Sequence, residues 1–332
     1  MSQTYDARGN IYIVCTPQNL RERGIAIADN AADAALNREQ WAAAAVHALC
    51  NWPQGTRPAG AKAHRSDGLL VGPFQQAAPF DLLIVNTDGT LAERSGNGMT
   101  IFARFLTDSG YVASQGFELR VHHDNRDTAT PVSTQVEPTS VNGEHGFWLA
   151  LGNPSFGPKT VGALVDSLEP AQLEGRVVNR VKPLAQIDAQ WDHSVFVRIG
   201  NPHCVTLVSD EADLPSFEAL QESALNAALT RIAFAKGESG TGEPCPAGVN
   251  LQWAWVQSAN QIVARVFERG EGPTASSGTS ASAVASAAWH AGLVESGLVH
   301  VSMPGGTAPV RLEEHNGELR VSLFGVAKVA GE

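Results

Sequence analysis

Two serines in this chain each stand before a glycine and open an apolar helix. Ser95-Gly96-Asn97-Gly98 leads into a run ending at Leu106, where Ser109-Gly110 stops it. Ser277-Gly278-Thr279 leads into a second run reaching about Ala291. The first turn of a helix carries unpaired N–H groups and the positive end of the dipole. Two such ends turned toward one ligand would hold a carboxylate. Gly96, Gly98 and Gly278 let the backbone come close to it. Taken singly, each start fits an ordinary serine N-cap. Taken as a pair, with Glu93-Arg94 before one and Glu268-Arg269 before the other, they suggest two similar halves facing each other.

The elements that must hold these serines can be read from period and punctuation. Ile11 to Cys15, 80–86, 117–123, 146–151, 194–200 and 204–208 read as strands, and 249–256 with 261–267 as a strand pair. Residues 31–50 read as one alanine-rich helix, and 51–60 as a loop. The polar stretch 124–145 reads as a domain junction. The tail alternates apolar and polar residues. By itself this pattern supports an α+β fold in two halves, with the sheet order open.

The chain has 332 residues, 43% of them hydrophobic and 17% charged, enough for a sizeable core. Its net charge of −11, with no basic patch, excludes a phosphate-tracking surface and with it nucleic-acid binding. No apolar run reaches the length of a membrane span, and the first residues do not read as a signal peptide, so a cytoplasmic protein is expected. Cys15, Cys50, Cys204 and Cys245 show no CxxC spacing, which argues for reduced buried thiols and against a zinc site.

The ordered motifs resemble the diaminopimelate epimerase family. ERSGNGMTIFARFL is similar to the segment around that family's first catalytic cysteine, and ERGEGPTASSGTSASA to the segment around its second. Gly9-Asn10, Asn86-Thr87-Asp88-Gly89, Gly200-Asn201-Pro202-His203, Val249-Asn250 and Met303-Pro304-Gly305-Gly306 match further family motifs in order. The resemblance implies an α/β fold of two pseudo-symmetric lobes, each a curved mixed β-sheet wrapped around a central helix, with the cleft between them. It places the lobes at 1–135 and 136–322, with 323–332 as a terminal strand returning to the first. It implies a cofactor-free, pyridoxal-phosphate-independent and metal-free racemase in which one group removes the α-proton and the other reprotonates the opposite face. Asn10, Asn86, Asn201 and Asn250 would hold the substrate. Glu268 and Arg269 would grip its amino and carboxylate groups, and Gly96-Asn97 with Gly278-Thr279 would meet developing negative charge. A small amino-acid substrate on the path to lysine and the cell wall, and a homodimer, follow from the same resemblance.

The departures matter as much. Ser95 and Ser277 stand where the family has its cysteines. A thiol near pKa 8.5 is readily made a thiolate; a serine hydroxyl is a far weaker acid and needs an adjacent base. No histidine is near either serine in sequence, and His203 is the first candidate to approach in space. Ile11 and Met99-Thr100 also depart from the family pattern, and Asp67-Gly68-Leu69-Leu70 matches it only in part, which favours a diverged relative over a deliberate double replacement. Three readings follow: an amino-acid epimerase with Ser95 and Ser277 at the acid/base positions, a lyase or double-bond isomerase using one-sided proton removal, or a catalytically silent amino-acid-binding protein. A serine-hydrolase elbow at Gly278–Ser282 lacks its fifth-position glycine and preceding strand. Gly270-x-Gly272 lacks the lysine of a phosphate loop. His122 and His123 point to opposite faces of a strand. Trp253 and Trp255 are ordinary strand packing, and Cys204 a buried small apolar residue.

Overall fold

The computed structural model describes residues 2–125 and 128–330. Residues 126 and 127 of the expected junction, and residues 1, 331 and 332, lie outside them. The chain divides into two compact units, Met1–Leu149 with Gly325–Glu332, and Ala150–Phe324. The polar stretch expected as a junction instead contributes strand Val132–Val141, which forms a hairpin with Glu144–Gly152. The turn is Asn142-Gly143, both with positive φ (51° and 84°). Asn-Gly favours this tight turn strongly enough to join two polar-faced strands.

In the first unit, Gln3–Ala7 pairs antiparallel with Asn10–Cys15 and with Lys328–Val329. Asn10–Cys15 then runs parallel to Gly68–Val71, which is antiparallel to Phe80–Asn86. Phe80–Asn86 runs parallel to Phe117–Val121, and the connection between them carries the helix Gly96–Asp108. That helix is buried nearly all round, with Met99, Ile101, Phe102 and Leu106 fully enclosed. This is the signature of a helix at the centre of a core. Leu69, Val71, Leu83 and Val85 turn to the other face of the sheet, against Leu20, Trp41 and Leu49. Strands covered on both faces read as continuous apolar runs.

Residues 31–50 form two helices, Ala31–Leu36 and Ala42–Leu49, where the sequence suggested one. Asn37 ends the first, and the buried Trp41 indole N–H donates back to Ala34 O at 2.8 Å. Burying the indole with its donor satisfied outweighs the weak propensity of a continuous alanine helix.

The second unit repeats the first unit's ladder. Ser194–Ile199 is antiparallel to Asn201–Val208, which is parallel to Asn250–Ser258, which is antiparallel to Gln261–Glu268. Gln261–Glu268 is then parallel to Gly297–Met303, across a connection carrying the helix Gly278–His290. Gly306–His315 and Glu318–Gly325 extend the sheet, and Leu168–Leu173 with Arg176–Val181 are added at the other side. Asn201-Pro202-His203, expected to sit between two strands, is itself the start of a strand, with Gly200 (φ 69°) making the reversal. The helix Gly278–His290 is buried from Thr279 to Ala288. The opposite face of the sheet packs Leu251, Trp253 and Phe267 against the helix Ser223–Ala233, with Trp191 and Trp253 rings 4.9 Å apart.

Candidate active site

Ser95 and Ser277 are the N-caps of the two central helices, with nearly the same backbone (φ −143°, ψ 119° and φ −144°, ψ 122°). Ser95 Oγ accepts from Gly98 N–H at 3.0 Å, and Ser277 Oγ from Ser280 N–H at 3.4 Å. The ladders also fix which other residues correspond. Ala92 pairs with Ile84 three residues before Ser95, and Thr274 pairs with Val266 three residues before Ser277. Asn86 and Glu268 are therefore equivalent, each nine residues before its serine. The same registers match Tyr12 with His203, Leu70 with Gln252 and Gly98 with Ser280. Asn10 likewise matches Asn201. The sequence echo set Glu93-Arg94 against Glu268-Arg269, and the strand pairing replaces it: the partner of Glu268 is Asn86. Adjacent letters suggested the first match, whereas hydrogen-bonded register decides position.

The two halves differ where chemistry would occur. Ser277 Oγ donates to Glu268 Oε1 at 2.7 Å. Thr274 Oγ1 lies 3.4 Å from Glu268 Oε2. Burial pushes the Glu268 carboxyl above its ordinary range, and the Ser277 hydroxyl is the strongest influence pulling it back. In the first unit Asn86 holds the equivalent place, and its Nδ2 donates to Thr90 Oγ1 at 2.9 Å. Among the described residues, Ser95 makes no side-chain bond to a titratable group.

His203 does not reach Ser277 directly. It is fully buried, and burial drops its pKa to about 3, so the ring is neutral. Its Nδ1 lies 3.0 Å from Gln252 Nε2, which also donates to Ser280 Oγ at 3.1 Å. Asn250, 3% exposed, accepts the backbone N–H of Arg269 at 2.9 Å through Oδ1, which leaves its Nδ2 as a donor. Arg269 itself bonds Ala247 O at 3.1 Å. Thr279 Oγ1 is 3.5 Å from Ser277 Oγ, at the start of the second helix with Gly278. Gly96 and Asn97 form the first turn of the other helix, and Asn10 and Asn201 each begin a strand just after a hairpin turn.

Thr274, Gln252 and Ser280 were not evident as site residues from sequence. Strand alternation puts Gln252 on the same face as Asn250, and helical geometry puts Ser280 over Ser277. That signal was available. All four cysteines are free and buried, Cys204 and Cys245 in the core of the second unit, and burial pushes the Cys245 thiol up to about 12. No helix among the described residues is long and apolar enough to cross a membrane.

A family model described as diaminopimelate epimerase matches residues 195–329. Diaminopimelate epimerase 2 of Nostoc sp. is 28% identical over 344 residues, covering 98% of this chain and 97% of that protein. Diaminopimelate epimerase of Desulfitobacterium hafniense is also 28% identical, over 79% of each chain. The chain is thus similar to diaminopimelate epimerases over nearly its whole length. That similarity supports an isomerase of the epimerase/racemase class. Among solved structures, a Bacillus anthracis phenazine biosynthesis protein of the PhzF family superposes with a TM-score of 0.55 at 12% identity, over 99% of this chain and 96% of that one. A hydroxyproline epimerase from Agrobacterium vitis gives 0.54 at 13%, over 99% and 90%. At such identities these two likenesses describe the fold.

Proposed function

We propose that this chain moves the α-proton of an amino acid, with Glu268 as the base acting through Ser277. The observation that carries this reading is the Ser277–Glu268 hydrogen bond at 2.7 Å, made at the N-terminus of a buried helix. Serine is too weak an acid to work alone, and the carboxylate supplies the adjacent base it lacks. In the step, the substrate Cα–H bond breaks and its proton passes to Ser277 Oγ as the hydroxyl's own proton passes to Glu268. The electron pair left on Cα delocalises into the substrate carboxylate, whose growing charge meets the N–H groups of the Gly278 turn. Burial of Glu268 brings its basicity closer to neutral pH, where proton transfer is efficient. Glu268 then serves as the base rather than as the grip on the substrate amino group. Asn10, Asn201 and the Nδ2 of Asn250 remain to hold the substrate. The substrate is LL-diaminopimelate, for lysine and cell-wall precursors, or a related amino acid.

A second reading has a specific observation in its favour. Asn86, equivalent to Glu268, cannot take a proton, so Ser95 lacks the support that Ser277 has. One-sided proton removal suits a lyase or double-bond isomerase better than a two-base racemase. Deuterium uptake from solvent at Cα, followed together with optical inversion across LL-diaminopimelate and a panel of amino acids, separates the two. Uptake with inversion supports the epimerase. Uptake with retention or elimination supports the one-sided enzyme. No uptake, in the face of tight binding, leaves the scaffold as a binding protein and overturns the base assignment.

A further inference from the structure

The repeat builds the same recess twice, once in each unit, at the carboxyl end of the central helix. In the first unit Thr107, Asp108, Ala113 and Ser114 line a cavity of about 570 Å³ beside Ser140. In the second unit Trp289, His290, Glu295 and Ser296 line one of about 530 Å³ beside Glu314. Counted from Ser95 and Ser277, these helix-end positions match one for one. The strands match too. Leu119 pairs with Thr134, and its counterpart Val301 pairs with Ala308, so Ser140 and Glu314, each six residues further on, are equivalent. Both helix-end turns carry a left-handed glycine, Gly110 at φ 74° and Gly292 at φ 77°. The recess is therefore a product of the ladder and its helix, and its lining is free to differ.

In the first unit the polar lining groups bond one another. Arg104 Nε donates to both oxygens of Asp108, at 2.8 and 3.0 Å, and Ser140 Oγ lies 2.6 Å from His145 Nδ1. The second unit has carboxylates, Glu295 and Glu314, where the first has Ala113 and Ser140, and it adds Arg176. The Arg176 side chain lies on the helix-end turn, since a Cβ on Gly292 would meet its Nε at 3.6 Å. Among the described residues, none of these three charged side chains makes a hydrogen bond or an ion pair. One wall of the recess is aromatic. Phe156 stacks on the His290 ring, centroids 4.2 Å apart and planes at 11°, and lies 6.1 Å from the Trp289 ring. Burial and the nearby Arg176 hold His290 below its ordinary pKa, so the ring adds no charge near neutral pH.

We propose that this recess of the second unit binds a basic amino acid, a monocarboxylate with two cationic groups. Arg176 takes the carboxylate, Glu295 and Glu314 take the two cations, and Trp289 covers the aliphatic chain between them. One guanidinium against two carboxylates sets that charge count, because charge-assisted bonds reward the opposite balance and like charges repel. The carboxyl end of a helix also favours positive charge. The volume falls within the range of small-molecule sites, roughly 300–1,000 Å³. Ser277 stands at the other end of the same helix, about 20 Å away at the usual rise per residue. The recess is thus separate from the proposed proton transfer and does not depend on that reading.

The experiment uses the full chain, with indole N–H signals followed by NMR as L-lysine is added. Trp289→Phe assigns the Trp289 signal. L-Lysine is expected to move that signal to saturation. L-Norleucine lacks the second cation, cadaverine lacks the carboxylate, and L-glutamate has the wrong charge; each should bind about 10- to 100-fold more weakly, the value of a charged hydrogen bond. Arg176→Gln should lose a similar factor, and so should Glu295→Ala with Glu314→Ser, which copies the lining of the first unit. Glu268→Gln should bind L-lysine as the unmodified protein does. A Trp289 signal that L-lysine leaves unmoved overturns the proposal. Equal binding of norleucine or cadaverine overturns it as well, and that comparison needs no variant to fold. A shift that persists in both recess variants, or is lost in Glu268→Gln, places the amino acid elsewhere and overturns it too.

Discussion

Glu268 and Ser277 are joined by a 2.7 Å bond at the start of a buried helix, and their effects should therefore be inseparable. Glu268→Gln keeps the shape and removes the base, so α-proton exchange should fall by about 10²- to 10⁴-fold, the usual worth of a positioned base. Ser277→Ala should lose a similar factor, while Ser95→Ala should keep exchange and lose any inversion; deuterium uptake scored against chirality tests all three. His203 gives a separate prediction about stability. Its folded pKa of about 3 lies below the ordinary 6.5, so the unfolded chain binds more protons between those values. Stability should then rise with pH through that window and fall as pH drops from 6.5 toward 3. His203→Gln should flatten the slope, as urea midpoints measured at several pH values would show. The importance of Glu268 could be read in the sequence, but its role could not. The letters placed it near an Arg and a Gly, and only the 2.7 Å contact made it the partner of Ser277.

At the scale of elements, the two helix starts at Ser95 and Ser277 carry the site. Ser95→Ala should destabilise the protein by about 1 kcal/mol as a lost N-cap. Ser277→Ala should cost more, about 2 kcal/mol, because it also strips a donor from a buried carboxylate. Urea unfolding of both variants checks the order. Gly325 closes the strand Glu318–Gly325, and a Cβ there would lie 2.0 Å from Thr100 Oγ1. Thr100 in turn donates to Gly96 O at 2.8 Å. Gly325→Ala should thus push on the first turn of the Ser95 helix and destabilise by about 1–3 kcal/mol, the usual cost of overpacking; a lowered melting temperature with weakened substrate binding is the expected result. Both central helices were legible in sequence, because an apolar run with a serine cap and a glycine start has few other solutions. The long helix at 31–50 was misread because Trp41 prefers to bury its indole, a tertiary gain that a local pattern does not contain.

The molecule as a whole is one ladder used twice and then made unequal. Each unit runs antiparallel, parallel, antiparallel, parallel around its helix, and each delivers a serine at the same place. What differs is the equipment at matched positions: Glu268 against Asn86, Gln252 against Leu70, Ser280 against Gly98. If the imbalance limits the reaction to one side, Asn86→Glu should raise inversion relative to exchange. A ratio unchanged in that variant, with the protein still folded, would place the limit elsewhere.

Composition, motif order and helix starts were determined by the sequence alone, since cap chemistry and apolar period act over a few residues. These sufficed for the resemblance to diaminopimelate epimerases, the α/β class and the two serine-capped helix starts. Register was not available there. Which residue of one strand faces which residue of another is settled by hydrogen bonds between segments far apart in the chain. Asn86 and Glu268 became counterparts only through that pairing. The neutral buried state of His203, and its contact through Gln252 with Ser280, were likewise decided by packing, because burial sets both charge and partner.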